Sequence, residues 1–174
     1  GIGGHRDSYP QVITSKYPIT YISKITGDES DIIVSHGAGW ATIEVNGKTV
    51  NIVTLHTWPQ AYAYRAEDKE ASIEEHGGDK YRAKEIQYIC EHTIGTVENA
   101  SDQLWMMMGD FNSRSRVDND VYGYEDDDTR FLVHDYVRNS TPYIDVIKEQ
   151  YPGIFIPSFR TKKSRIDFVY CTKP

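Results

Sequence analysis

Polar and apolar positions alternate most clearly between Trp40 and Leu55. Two β-rich runs, Ala41-Thr42-Ile43-Glu44-Val45 and Thr49-Val50-Asn51-Ile52-Val53-Thr54-Leu55, flank Asn46-Gly47-Lys48. Asn-Gly between such runs predicts a β-hairpin. The second run ends in His56. Leu104-Trp105-Met106-Met107-Met108 is a continuous apolar run closed by Gly109, which predicts a short strand buried on both faces. Asp110 and Asn112 follow, two residues apart, a spacing that in a strand points both side chains the same way. Gly, Asp and Asn are also turn formers, so a plain turn is the competing reading. Gln11–Ser15, Ile19–Ile25 and Asp31–Val34 read as short strands, with a charged turn at 28–31. Residues 61–78 are polar and rich in Glu, Lys and Ala, an exposed and partly helical excursion ending at Gly77-Gly78. Asp79–Ile94 is the best helix, with Asp79 as cap and Tyr81, Ile86, Ile89, Cys90 and Ile94 as its apolar stripe. Thr141–Tyr151 reads as a second helix, with Ile144, Ile147 and Tyr151 on one side. Ser164–Cys171 reads as a final strand.

Strands, hairpin, helix, strand, helix, strand is an order that suits an α/β sandwich. At 174 residues the chain fits one domain, 1–174, with a real core. Its net charge of −7 argues against a non-specific grip on polyanions as the main strategy, although a local basic patch or a metal can offset it. No apolar run approaches the ~18 residues of a membrane helix. The chain starts at Gly1 rather than Met and shows no signal peptide, so a soluble protein is expected, secreted or periplasmic if a leader was removed. Cys90 and Cys171 fall in a helical and a strand pattern, which favours two buried thiols over a disulfide. Glu125-Asp126-Asp127-Asp128 is a solvated charge run, with Ca²⁺ binding as its alternative.

Three strand ends carry polar groups out of apolar runs: His56, Asp110 with Asn112, and Asp167. Asp167 lies within Ile166-Phe168-Val169-Tyr170, where a charge is costly unless paired, with Arg165 the nearest partner. Each has a structural reading: a satisfied histidine, a turn, an ion-paired aspartate. A shared cleft accounts for all of them together.

At this point the sequence resembles the endonuclease/exonuclease/phosphatase superfamily, with the deoxyribonuclease I-like fold. The resemblance rests on Met108-Gly109-Asp110-Phe111-Asn112, Val53-Thr54-Leu55-His56-Thr57 and Ser164-Arg165-Ile166-Asp167-Phe168-Val169-Tyr170, with weaker support from Ile13-Thr14-Ser15-Lys16-Tyr17-Pro18-Ile19. It implies a four-layer α/β/β/α sandwich, incomplete at both ends. It also implies hydrolysis of phosphoesters with Mg²⁺ or Mn²⁺, the substrate being nucleic acid, a phospholipid headgroup or a small phosphoester. By the same resemblance His56 would bind and polarise the scissile phosphate. Asp110 would orient or deprotonate the attacking water, and Asn112 would hydrogen-bond the phosphate or position Asp110. Asp110 and Asn112 would lie at the metal, and Asp167 would hold a catalytic imidazole in its tautomer.

Two members of that family's set have no counterpart in the sequence. The metal-binding Glu of an early strand is absent, and so is the Ser-Asp-His motif downstream of the strand that holds Asp167. Asp7, His5 and His134 sit in no matching motif, and Gln11 is at most a neighbour of the site. The chain by itself is therefore expected to be a poor catalyst. The alternative is a non-catalytic interaction module that keeps the fold without a complete active site.

Overall fold

The computed structural model describes residues 11–27, 30–77 and 79–173. His5, Asp7, residues 28 and 29 of the charged turn, and Gly78 lie outside them. Six strands form one mixed sheet in the order β1-β2-β3-β4-β6-β5. They are β1 (Ile19–Ile25), β2 (Ala38–Val45), β3 (Lys48–His56), β4 (Leu104–Asp110), β5 (Ile144–Asp145) and β6 (Asp167–Cys171). The helices are α1 (Ala61–Tyr64), α2 (Lys69–His76), α3 (Lys80–Glu91), α4 (Asn119–Tyr122), α5 (Leu132–Ser140) and α6 (Val146–Gln150). Of the four layers that the resemblance implies, the described residues supply one sheet and its helices.

The hairpin forms as its sequence predicts. Val45 pairs with Lys48 across a two-residue turn, and Asn46 and Gly47 both take positive φ, 51° and 76°. That backbone matches the right-handed twist of the flanking strands. The excursion after β3 carries α1, α2 and α3 and returns the chain to lie parallel beside β3 as β4. A parallel pair needs such a crossover.

Alternation sorts the strands into two faces. Val53, Leu55, Trp105, Met107, Phe168 and Tyr170 are buried on one, against Ile86, Ile89 and Cys90 of α3 and Val133 and Val137 of α5. The opposite face carries Ile52, Met106, Met108 and Val169, all half-buried. The Leu104 run is thus fully covered on one face only, the face on which α3 and α5 pack.

Several elements depart from the sequence pattern. Residues 12–15 form no strand, and Gln11 makes only an isolated bridge. Ile32–Val34 is a loop, because the Ser30 hydroxyl bonds the Gly27 and Ile32 carbonyls and accepts from the Ile32 N–H, which competes with a ladder. The predicted helix over Thr141–Tyr151 is split. Asp145 accepts from the Ile147 and Lys148 N–H groups as an N-cap, so the helix starts only at Val146, and Ile144–Asp145 pairs with β6. Tyr151 is exposed. Asp79 does not cap α3 with its side chain. Cys90 is a buried free thiol and Cys171 a half-buried one.

Candidate active site

The site is built by strand register. His56 of β3 is the partner of Asp110 of β4, and Asp110 is the partner of Asp167 of β6. Neighbouring strands lie about 4.8 Å apart, so the three residues span about 10 Å. All three sit at the same strand ends, on the face opposite the helices. His56 Nε2 is 3.7 Å from Asp110 Oδ2, with both side chains partly exposed.

The chain turns immediately after Asp110. Asp110 Oδ1 accepts the N–H of Asn112 at 2.8 Å, an Asx-turn, and Asn112 takes φ 48°. The turn therefore forms as the composition predicts, and it serves the site. It swings the Asn112 carboxamide towards β3, where Nδ2 donates to the Thr57 carbonyl at 3.0 Å. Thr57 Oγ1 donates to the Phe111 carbonyl at 2.6 Å and Thr57 N–H to the Asp110 carbonyl at 3.1 Å. Two strand exits are thereby stitched together below the row. Gly109 makes the close approach possible. At φ 150°, an added Cβ would stand 1.9 Å from the Leu55 carbonyl oxygen.

Burial raises the Asp110 pKa to about 6, and the neighbouring Asp167 charge adds to the rise, against the Asn112 hydrogen bond and Arg82. Asp167 itself is exposed at the start of β6. The expected costly charge within an apolar run does not arise, because the strand begins at Asp167 and its side chain faces away from the helices. Arg165 is not its partner. It is buried between Asp145, with contacts of 3.0 and 2.6 Å, and Asp118 at 2.9 Å, and its guanidinium lies 4.2 Å from the Phe168 ring centroid.

Three contributors carry no strand-end signal. His36 is fully buried and stacks on His56, with ring centroids 4.2 Å apart, and its Nε2 lies 3.3 Å from Tyr62 Oη. Glu85 of α3 is fully buried and accepts from Ser35 N–H and Oγ, both at 2.8 Å, and from Trp58 N–H at 2.9 Å. One carboxylate thus ties the loop before His36 to the loop after His56. Burial pushes its pKa up to about 7 against those three donors. Arg82 donates to the Trp58 carbonyl and to Asp79 Oδ1, and Asp79 accepts from Ser113 Oγ. Burial raises Asp79 to about 6, opposed first by the Arg82 charge. Arg82 and Glu85 share the stripe of Ile86 and Ile89 at helical spacing, and charges there are the sequence signal that would have exposed them.

A divalent cation fits the donor set in part. Among the described residues no group of three or more His, Cys, Asp or Glu side chains is placed to hold a metal. Asp110 and Asp167 nevertheless present two like-charged carboxylates in register, beside a carboxamide. Magnesium is commonly held by one or two carboxylates together with water and substrate phosphate. In the acidic loop, Asp128 pairs with Arg130 at 2.7 Å, and Glu125, Asp126 and Asp127 are exposed.

A cleft of about 860 Å³ opens over the Asp110 and Asp167 end of the row. Asp110, Asn112 and Asp167 line it, with Arg65, Arg114 and Lys162 among its other walls.

No family model matches the chain, and no curated protein matches it. Solved structures do. The human Nocturnin catalytic domain with bound sulfate anion superposes with a TM-score of 0.57 at 14% identity, over 90% of this chain and 48% of that one. Beta toxin from Staphylococcus aureus, an F277A, P278A mutant with bound magnesium ions, gives 0.50 at 20% identity, over 91% and 51%. A functionally unknown conserved protein from Enterococcus faecalis V583 gives 0.52 at 14%, over 90% and 55%. The fold is deoxyribonuclease I-like. The chain spans about half the length of the solved structures it matches. Within this deoxyribonuclease I-like sheet, the row His56–Asp110–Asp167 crosses three adjacent strands. Among the described residues no helix is long and apolar enough to cross a membrane.

Proposed function

We propose that the row His56–Asp110–Asp167, with Asn112, is the reaction centre of a metal-dependent phosphoester hydrolase. The observation that carries this reading is the register itself: three chemically competent side chains, from segments far apart in sequence, occupy one line across adjacent strands, and Asp110 and Asp167 of that line wall a cleft. The deoxyribonuclease I-like fold supports it, as do the sulfate and magnesium named with two structures of that fold.

Asp110 is the group that orients and deprotonates the attacking water. Its raised pKa keeps it basic enough to take a proton near neutrality. His56, beside Asp110 and stacked on His36, donates to a phosphate oxygen as charge develops there. Asn112 fixes the Asp110 carboxylate through its N–H and anchors the turn through its carboxamide. Asp110 and Asn112, with Asp167, would hold Mg²⁺ or Mn²⁺. Such an ion supplies charge stabilisation to the phosphate and lowers the pKa of bound water.

The test is hydrolysis of a generic phosphodiester with Mg²⁺, Mn²⁺ or EDTA, by the chain alone and by the protein in its full natural reading frame. Asp110→Asn should lower turnover in the active form by at least about 100-fold, the usual scale of general-base effects. Its circular dichroism spectrum should stay unchanged. Turnover within tenfold of the parent refutes the role.

A further inference from the structure

The walls above the reaction centre carry a second chemistry. The chain has a net charge of −7, yet Arg65, Arg114 and Lys162 all line the cleft. None of the three forms an ion pair with a carboxylate among the described residues, in contrast to Arg82, Arg116, Arg130 and Arg165. Unneutralised cations around two carboxylates are laid out for an anion larger than one phosphate. Aromatic rings line the same cleft. Tyr64 is 52% exposed and Phe159 44% exposed, and both line the cleft with Tyr124. Arg130 lies 4.4 Å from the Tyr124 ring centroid and Arg114 5.8 Å from it, so that ring packs with the cations of the wall.

The cleft also continues. An adjoining cavity of about 420 Å³ shares Gln60, Tyr64 and Arg130 as walls and adds Lys80. A lipid headgroup or a small phosphoester needs one pocket. A cleft that continues into an adjoining cavity, with cations and exposed rings among its walls, suits a chain of repeating phosphates and flat bases.

We propose that this cleft binds a single-stranded polynucleotide, with backbone phosphates against Arg65, Arg114 and Lys162 and unpaired bases against Tyr64 and Phe159. The inference rests on reading the floor of the cleft as the reaction centre, and it names that centre's substrate class. Stacking on aromatic rings within a basic groove is tolerant of sequence, so little base preference is expected.

Binding tests it without turnover. A fluorescein-labelled oligothymidylate of about 12 nucleotides is titrated with the chain in EDTA by fluorescence anisotropy, at several salt concentrations. Inorganic phosphate, a blunt duplex and vesicles containing phosphatidylinositol phosphates are the comparison arms. Tight, salt-dependent binding of the oligonucleotide is expected. Arg65→Ala and Lys162→Ala alter exposed side chains and should fold normally. Each should flatten the salt dependence by about 0.7 in log–log slope, the value for one lost single-strand phosphate contact. Tyr64→Ala should weaken binding about tenfold with the slope unchanged, because a stacked base is lost rather than a charge contact.

Oligonucleotide binding that none of the three variants changes overturns the assignment. So does binding of the vesicles in preference to the oligonucleotide, equal binding of the duplex, or no binding at all. The two readings fail separately. Oligonucleotide binding with these variant effects but no metal-dependent hydrolysis sinks the reaction centre and keeps the groove. Hydrolysis of the generic diester without oligonucleotide binding does the reverse.

Discussion

Glu85→Gln tests whether the loop before His36 and the loop after His56 hang on one buried carboxylate. The Glu85 carboxylate accepts three hydrogen bonds, two on Oε1 from Ser35 and one on Oε2 from the Trp58 N–H. Glutamine keeps the shape and can still accept from Ser35, but its NH₂ then meets the Trp58 N–H, donor against donor. A buried donor left unsatisfied costs about 1–3 kcal/mol. The pH dependence isolates the charge. Burial holds Glu85 at about 7 in the folded chain against an ordinary 4.5. The folded state therefore binds the proton more tightly than the unfolded state. That stabilisation is full below pH 4.5 and is lost as pH rises through 7. Linkage over a gap of that size gives about 2–3 kcal/mol between pH 5 and pH 8. Glutamine does not titrate, so the variant's deficit relative to the parent should shrink by that amount over the same interval. Asp79 also titrates upward-shifted, but it is present in both proteins and cancels in the comparison. Urea denaturation of both proteins at pH 5, 6.5 and 8 measures it, with slopes checked for equality. A deficit that stays constant from pH 5 to pH 8 refutes the reasoning. The active-site consequence is read separately, as a change in the His56 ring resonances.

Gly109→Ala should destabilise the chain by at least about 3 kcal/mol in urea melts, since the added Cβ meets backbone at β3 and neither strand can move without breaking the ladder. Arg165→Met removes the cation that Asp145 and Asp118 share, leaving Asp118 with Lys148 and Asp145 without an ion pair among the described residues, and chemical denaturation should show a loss of about 3–5 kcal/mol. In EDTA, the Asp110 carboxylate should titrate near 6, held there by burial, when its side-chain carbon is followed by NMR between pH 4 and pH 8. A midpoint near the ordinary 3.8 would refute the buried setting of the carboxylate.

The strands that position the site are legible because their patterns are local. Alternation in Thr49–Leu55 and an Asn-Gly turn set the hairpin, and the apolar run ending at Gly109 sets β4. A residue at a strand end is visible in sequence wherever polar follows apolar, which is why His56, Asp110 and Asn112 stand out. Asp167 was visible as a polar residue, but its setting was not, because only the sheet shows that β6 starts there. His36, Glu85 and Arg82 escape for a different reason. Each is polar in the sequence and buried in the fold, and each is satisfied by partners 20 to 50 residues away. Leu132–Ser140 escapes because its buried face mixes Val133 and Val137 with His134, and His134 is made neutral by burial that drives its pKa down to about 3.

The two faces of the sheet explain why the polar row can exist at all. On the helical face every side chain level with the strand ends is closed in: Leu55, Phe111 and Phe168 are all buried there. A carboxylate placed among them would need a partner as costly to build as the Arg165 cluster. On the opposite face the same strand ends open into the cleft, so Asp110 and Asp167 can stand side by side with part of their hydration intact. The Asp167 charge then helps burial lift Asp110 to about 6, still below neutral pH. That charge state also makes sense of an acidic protein with cations around its cleft. Beyond about 8 Å at physiological salt the net charge of −7 is largely screened, so an approaching anion meets Arg65, Arg114 and Lys162 before it meets the floor. On the proposed reading, those cations offset the repulsion between a substrate phosphate and the two aspartates. A divalent ion on the floor would offset the remainder, and it follows that substrate affinity should rise on adding Mg²⁺ and should rise less when Asp110 is replaced by Asn.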